Sequence, residues 1–106
     1  MKGSLYENYI VSEILKKENI SDKHNTIYFF RTSSQEEIDL VIDRKTHKEL
    51  IEIKHTSSFK PKMTDTITRY LEDGDIGYLL YNGDEFPYKS NLKVINYSQY
   101  LSDISE

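Results

Sequence analysis

The segment EEIDLVID RKTHK ELIEIKHT, residues 36–56, constrains this chain more than any other. Two apolar runs rich in Ile, Leu and Val flank a five-residue polar stretch, which is the signature of a β-hairpin. Both runs nevertheless carry charge at interior positions: Asp39 in the first, Glu52 and Lys54 in the second. With side chains alternating along a strand, Ile51, Ile53 and His55 take one face of the second run, and Leu50, Glu52 and Lys54 take the other. In the first run Ile38, Leu40 and Ile42 share one face and Asp39 and Val41 the other. Pairing of the two strands brings Asp39 and Glu52 to one spot on the mixed face.

Two carboxylates a few Å apart repel, and each tends to keep its proton unless a cation lies between them. Mg²⁺ or Mn²⁺ meets that need, because hard divalent ions take carboxylate oxygens and complete their shell with water. A lysine two residues beyond can orient or deprotonate an attacking water. Together these groups are the equipment for hydrolysing a phosphodiester bond.

The rest of the chain supplies the frame. GSLYENYIVSEILKKENIS, residues 3–21, reads as a helix capped at Ser4, with Tyr6, Ile10 and Ile14 at apolar spacing and Lys16 and Lys17 near its C-terminus. Glu7 falls in the middle of that apolar stripe, whereas Glu13 lies to one side. TIYFFRTS is strand-like, and SSFKPKM is a loop. TDTITRYLEDG, residues 64–74, reads as a second helix capped by Thr64 and stopped by Gly74. IGYLLYN is a buried strand, and LKVINYSQYLSDIS gives a last strand and a short terminal helix. The expected order is α-β-β-β-α-β-β with a short terminal α, a mixed α/β sheet flanked by helices.

Composition narrows the function classes. The 106 residues predict one domain, 1–106, with a modest core. Without cysteine there is no disulfide scaffold and no Cys-type zinc site, and a cytoplasmic setting is expected. No run is apolar and long enough to span a bilayer, so no membrane partner is expected. The net charge of −4 argues against broad phosphate binding of the kind that basic domains show. Carboxylates gathered around metal ions would lower the net charge of a phosphodiesterase in the same way. Neither phosphate-binding glycine motif, G-x-x-x-x-G-K-[ST] or G-x-G-x-x-G, is present. His24, His47 and His55 have no ligand-like spacing.

The helix LYENYIVSEILKK, the strand IYFFRT, and EIDLVI followed by ELIEIKHTSS together resemble the PD-(D/E)xK nuclease superfamily, with its restriction-endonuclease-like fold. More narrowly they resemble the uncharacterised domain at the C-terminus of bacterial and archaeal AAA-type ATPases. The similarity covers residues 3–58 and extends more weakly to about residue 82. It implies a nuclease-like C-terminal piece of a larger ATPase, a Mg²⁺- or Mn²⁺-dependent deoxyribonuclease activity, DNA as substrate, the ATPase module as partner, and a homo-oligomer as a further expectation. On that resemblance Glu7 matches the first-helix carboxylate, Asp39 the central aspartate, and Glu52 with Lys54 the E-x-K motif, with the Ile53 carbonyl as an additional metal ligand. Ile38 stands where the superfamily's name has proline. Thr66 and Tyr70 stand where RecB-type relatives carry glutamine and tyrosine.

Each residue also has a plainer reading. Ser4 and Glu7 fit a capping box, Asp39 a charge guarding an edge strand, and Glu52 and Lys54 a solvated sheet face. Lys60, Lys62 and Arg69 are candidates for nucleic-acid phosphate contact, or simply a charged surface. E-x-K alone discriminates little, since Asp43-Arg44-Lys45 satisfies the wider (D/E)-x-K pattern in a turn. The alternative function is a nuclease-like domain that does not cleave and serves for docking, dimerisation or nucleic-acid contact.

Overall fold

The computed structural model describes residues 5–20 and 25–105. The Ser4 cap and His24 lie outside the described residues. A first helix, α1 (Leu5–Ile20), is followed by strands β1 (Thr26–Arg31), β2 (Glu37–Asp43) and β3 (Lys48–Ile53). A 3-10 turn (Pro61–Thr64) leads into α2 (Asp65–Tyr70), and then come β4 (Ile76–Tyr81), β5 (Phe86–Lys89), β6 (Leu92–Asn96) and α3 (Tyr97–Asp103). The strands form one six-stranded sheet in the order β1-β2-β3-β4-β6-β5. β1, β2 and β3 pair as an antiparallel meander, β3, β4 and β6 run parallel, and β5 returns antiparallel to β6. This is the mixed, helix-flanked α/β sheet expected, with one strand more.

Each face of the sheet carries its own core. On one face Ile10 and Ile14 of α1 and Tyr100 and Leu101 of α3 pack on Leu40, Ile42, Ile51, Ile53, Leu80 and Ile95. On the other, Ile67 of α2 packs on Ile38, Val41, Leu50, Leu79, Leu92 and Val94. β3 lies between the antiparallel and parallel halves and is covered on both sides, which explains its near-continuous apolar run. Glu52 is the one charged residue within its buried part, Leu50–Ile53. The approach of α2 is close: a Cβ added at Gly77 of β4 would lie 2.6 Å from Ile67 Cγ2, so only glycine fits beneath the helix.

Four differences from the sequence expectations have structural causes. β5 was not anticipated because Pro87 sits in its four residues. Proline is tolerated there because β5 is an edge strand with one neighbour. α2 ends at Tyr70 rather than running to Gly74. The Glu72 amide, which a longer helix would use internally, instead donates to Asp75 Oδ2 at 3.1 Å, and Asp75 Oδ1 accepts from the Lys48 amide at 2.8 Å. Thr64 does not cap the helix with its hydroxyl, which donates to the Pro61 carbonyl at 2.8 Å.

The fourth difference bears on the site. Ile38 does not share a face with Leu40 and Ile42; it packs with Val41 on the α2 side. The register explains the switch: Tyr28 pairs with Val41 and Phe30 with Ile38, so β1 advances two residues while β2 advances three. β2 therefore bulges at Asp39–Leu40, opposite Phe29. A bulge of this kind bends the strand and re-aims the side chain at the extra residue.

Candidate active site

The bulge coincides with the end of pairing between β2 and β3. Their ladder runs from Asp43↔Lys48 to Leu40↔Ile51 and stops there. One step further Asp39 would oppose Glu52, but side chains take over from the ladder. The Asp39 amide donates to Glu52 Oε1 at 3.3 Å, and the Ile53 amide donates to Asp39 Oδ2 at 2.8 Å. Each strand thus offers a carboxylate to the other's backbone, which satisfies two amides that the parting strands would leave unpaired. The same exchange holds the two acids against each other. Beyond β3, the Lys54 amide continues the parallel pairing through the Leu80 carbonyl at 2.9 Å, which carries the lysine past the parting. Its Nζ lies 3.4 Å from Glu52 Oε2.

The electrostatics follow from this burial. Glu52 is 9 % exposed, and desolvation, reinforced by the negative charge of Asp39, pushes its carboxyl up to about 8; the nearby Lys54 ammonium only partly offsets this. Asp39 is also raised by desolvation, less so because the Ile53 amide and Glu52 hydrogen-bond to its charged form. Both shifts favour retention of a proton by the pair.

The acids open onto a cavity of about 1530 Å³ that runs between α1 and the β1–β2 side of the sheet. Glu7 lines it from α1, Thr66 from α2, and Asp39, Glu52, Ile53 and Lys54 from the parting strands. The structure thus brings four expected residues together, Asp39, Glu52, Ile53 and Lys54, and sets Glu7 in the lining of the same cavity, on the α1 side. Among the described residues, no three His, Cys, Asp or Glu side chains form a group that could hold one ion. Glu7 faces the shared cavity without closing a three-carboxylate cluster. Of the expected basic residues, Lys60, Lys62 and Arg69 lie outside this cavity's lining. Tyr70 does not line it either, and its hydroxyl donates to Glu36 Oε1 at 2.8 Å.

Glu36 was not singled out from the sequence. It is ion-paired to Arg69 as well as bonded to Tyr70, so α2 grips the residue that leads into β2 three positions before Asp39. Sequence separations of 33 and 34 residues hide such a link from any local pattern. His55 stacks on Tyr6 with ring centroids 4.3 Å apart, and His47 lies 3.6 Å from Glu49, so neither histidine joins the acids.

The donor set fits a hard divalent cation. Two carboxylates on adjacent strands, each with an oxygen oriented by a backbone amide, match the one or two carboxylates by which Mg²⁺ is usually held, water and substrate phosphates supplying the rest. A nearby cation would also reverse the upward shift of both acids.

Residues 2–100 match the family described as a domain of unknown function, DUF4143. The chain belongs to this family. DUF4143 domains are commonly found in AAA-ATPase-associated proteins. No curated protein and no solved structure matches this DUF4143 domain. No helix among the described residues of the domain is long and apolar enough to cross a membrane.

Proposed function

We propose that this DUF4143 domain is a metal-dependent phosphodiesterase of the PD-(D/E)xK type that acts on DNA as a module of a cytoplasmic ATPase. The observation that carries the reading is the reciprocal carboxylate-to-amide exchange at the parting of β2 and β3, with Lys54 3.4 Å from Glu52. Asp39 and Glu52 would hold a Mg²⁺ or Mn²⁺ ion, with the Ile53 carbonyl beside them and Glu7 contributing from α1. The ion would supply Lewis-acid stabilisation of the charge that develops on the phosphoryl oxygens. Lys54, whose ammonium is tethered by Glu52, orients the attacking water, and the cavity admits the strand.

A second reading is a nuclease-like domain that docks rather than cleaves. It is favoured by the absence, among the described residues, of a group of three acids or histidines able to hold one ion. Calorimetric titration with Mn²⁺ separates the two, followed by cleavage assays on plasmid and branched DNA at saturating metal. The phosphodiesterase reading expects binding that is lost in Glu52→Ala, and cleavage lost with it. Wild-type protein that takes up no Mn²⁺ would give the docking reading the lead.

A further inference from the structure

α2 separates the large cavity from a second, smaller groove. Thr66 lines the former, while Asp65 and Arg69 line the latter, a depression of about 470 Å³ completed by Lys62 of the 3-10 turn and Tyr88 and Lys89 of β5. The strand that supplies the last two is the one the sequence did not reveal. Its pairing with β6 brings Lys89 next to a lysine 27 positions earlier in the chain.

The groove inverts the sign of the chain. Over the whole sequence 18 acids outnumber 14 basic residues, yet here Lys62, Arg69 and Lys89 face a single carboxylate, Asp65. Lys62 and Lys89 are exposed and, among the described residues, make no ion pair. Arg69 is already paired with Glu36, and so it ties the groove to the loop that leads to Asp39. Tyr88 gives the groove a firm floor: the Phe59 ring stands against it at 5.0 Å and 69°, and the Lys89 ammonium lies 5.3 Å from its centroid. Exposed lysines with no protein carboxylate to neutralise them favour an external anion, and two or more spaced along a groove favour a polyanion over a single phosphate.

We propose that the groove binds the phosphate backbone of a single-stranded nucleic-acid segment that passes over α2 into the carboxylate cavity. The path into that cavity rests on the phosphodiesterase reading; the binding itself does not. The strand is held by charge away from the acids, whose own field repels it until they are neutralised.

The test is fluorescence anisotropy of a labelled oligothymidylate with the full chain in EDTA, so that binding is read without cleavage. The double variant Lys62→Glu/Lys89→Glu is expected to weaken binding at least tenfold at low salt. It should also flatten the slope of log K against log salt by roughly 1.4, two contacts at about 0.7 each for a single strand. Lys45→Glu, at the far hairpin turn, is the control and should bind as wild type does, with thermal melts showing that both variants fold. The proposal is overturned if wild type does not bind the strand, if the double variant binds unchanged, or if Lys45→Glu weakens binding equally. It is also overturned if millimolar inorganic phosphate displaces the strand as well as unlabelled oligonucleotide does, which would make the groove a site for a small anion. Groove-dependent binding in a protein that neither takes up Mn²⁺ nor cleaves would sustain this inference and sink the phosphodiesterase reading alone.

Discussion

The two ends of the β2–β3 hairpin each shield a pair of acids from solvent, at least in part, and treat them in opposite ways. At the turn end, Glu18 of α1 and Glu49 of β3 flank Arg44, whose guanidinium reaches Glu18 Oε1 at 2.7 Å and Oε2 at 2.9 Å, and Glu49 at 3.1 Å. The two glutamates hold Arg44 firmly in its charged form. At the open end Asp39 and Glu52 share one more exposed lysine, and Glu52 is pushed up to about 8. The fold supplies a full counter-charge at one end and withholds it at the other. A half-buried acid pair with its own arginine fastens helix to hairpin; one without it is left with carboxylates whose charged forms burial disfavours.

The sharpest way to break this comparison is to remove the arginine. Arg44→Met leaves Glu18 and Glu49 facing each other at 11 % and 14 % side-chain exposure. Removing one partner of a buried ion pair costs about 3–5 kcal/mol; since Arg44 retains 18 % exposure, and Asn25 and His47 still lie against the two glutamates, the lower end is expected in urea unfolding. A loss below about 1 kcal/mol would show that the turn end resembles a surface ion pair.

At the open end the same kind of substitution should stabilise. In the metal-free protein Glu52→Gln keeps an acceptor for the Asp39 amide and removes a charge that burial disfavours. The sign follows from linkage. The folded-state pKa of Glu52, about 8, lies above its ordinary value of 4.5, so the folded form binds the proton more tightly. Its contribution to stability is therefore complete below about pH 4.5 and is lost as pH rises to about 8. Wild type should melt progressively lower across that window in EDTA, and Glu52→Gln should flatten the curve and gain on the order of 2 kcal/mol at pH 8.5. A variant with the wild-type pH dependence would mean that Glu52 ionises without penalty.

What the sequence made legible divides along the same line. Asp39, Glu52 and Lys54 could be read because two-residue periodicity within a hairpin is a local rule, and an acid in an apolar strand stands out against it. The bulge that turns Ile38 to the other face could not, because it depends on how β1 meets β2. Arg44 was visible only as part of a decoy (D/E)-x-K pattern in a turn; its partner Glu18 is 26 residues away on α1. β5 was hidden by Pro87, whose exclusion from strands holds in a sheet's interior and not at its edge. α2 was read too long because Asp75, which draws the Glu72 amide out of the helix, acts from beyond it.

The smallest expected effect on stability tests the asymmetry most directly. Lys54→Met removes the only cation paired with the open-end acids among the described residues. Lys54 is 39 % exposed, and an ion pair so open to solvent contributes at most about 1 kcal/mol. Its charge nevertheless lowers the Glu52 pKa, so the titration of Glu52 in Lys54→Met, followed by carboxyl ¹³C shifts, should move upward from about 8 while the melting temperature at pH 6 hardly changes. Under the phosphodiesterase reading, cleavage is lost in the same variant while Mn²⁺ binding survives, because Asp39 and Glu52 remain. A large drop in stability with no upward movement of Glu52 would make Lys54 a structural counter-charge like Arg44. The two ends of the hairpin would then differ in degree and not in kind.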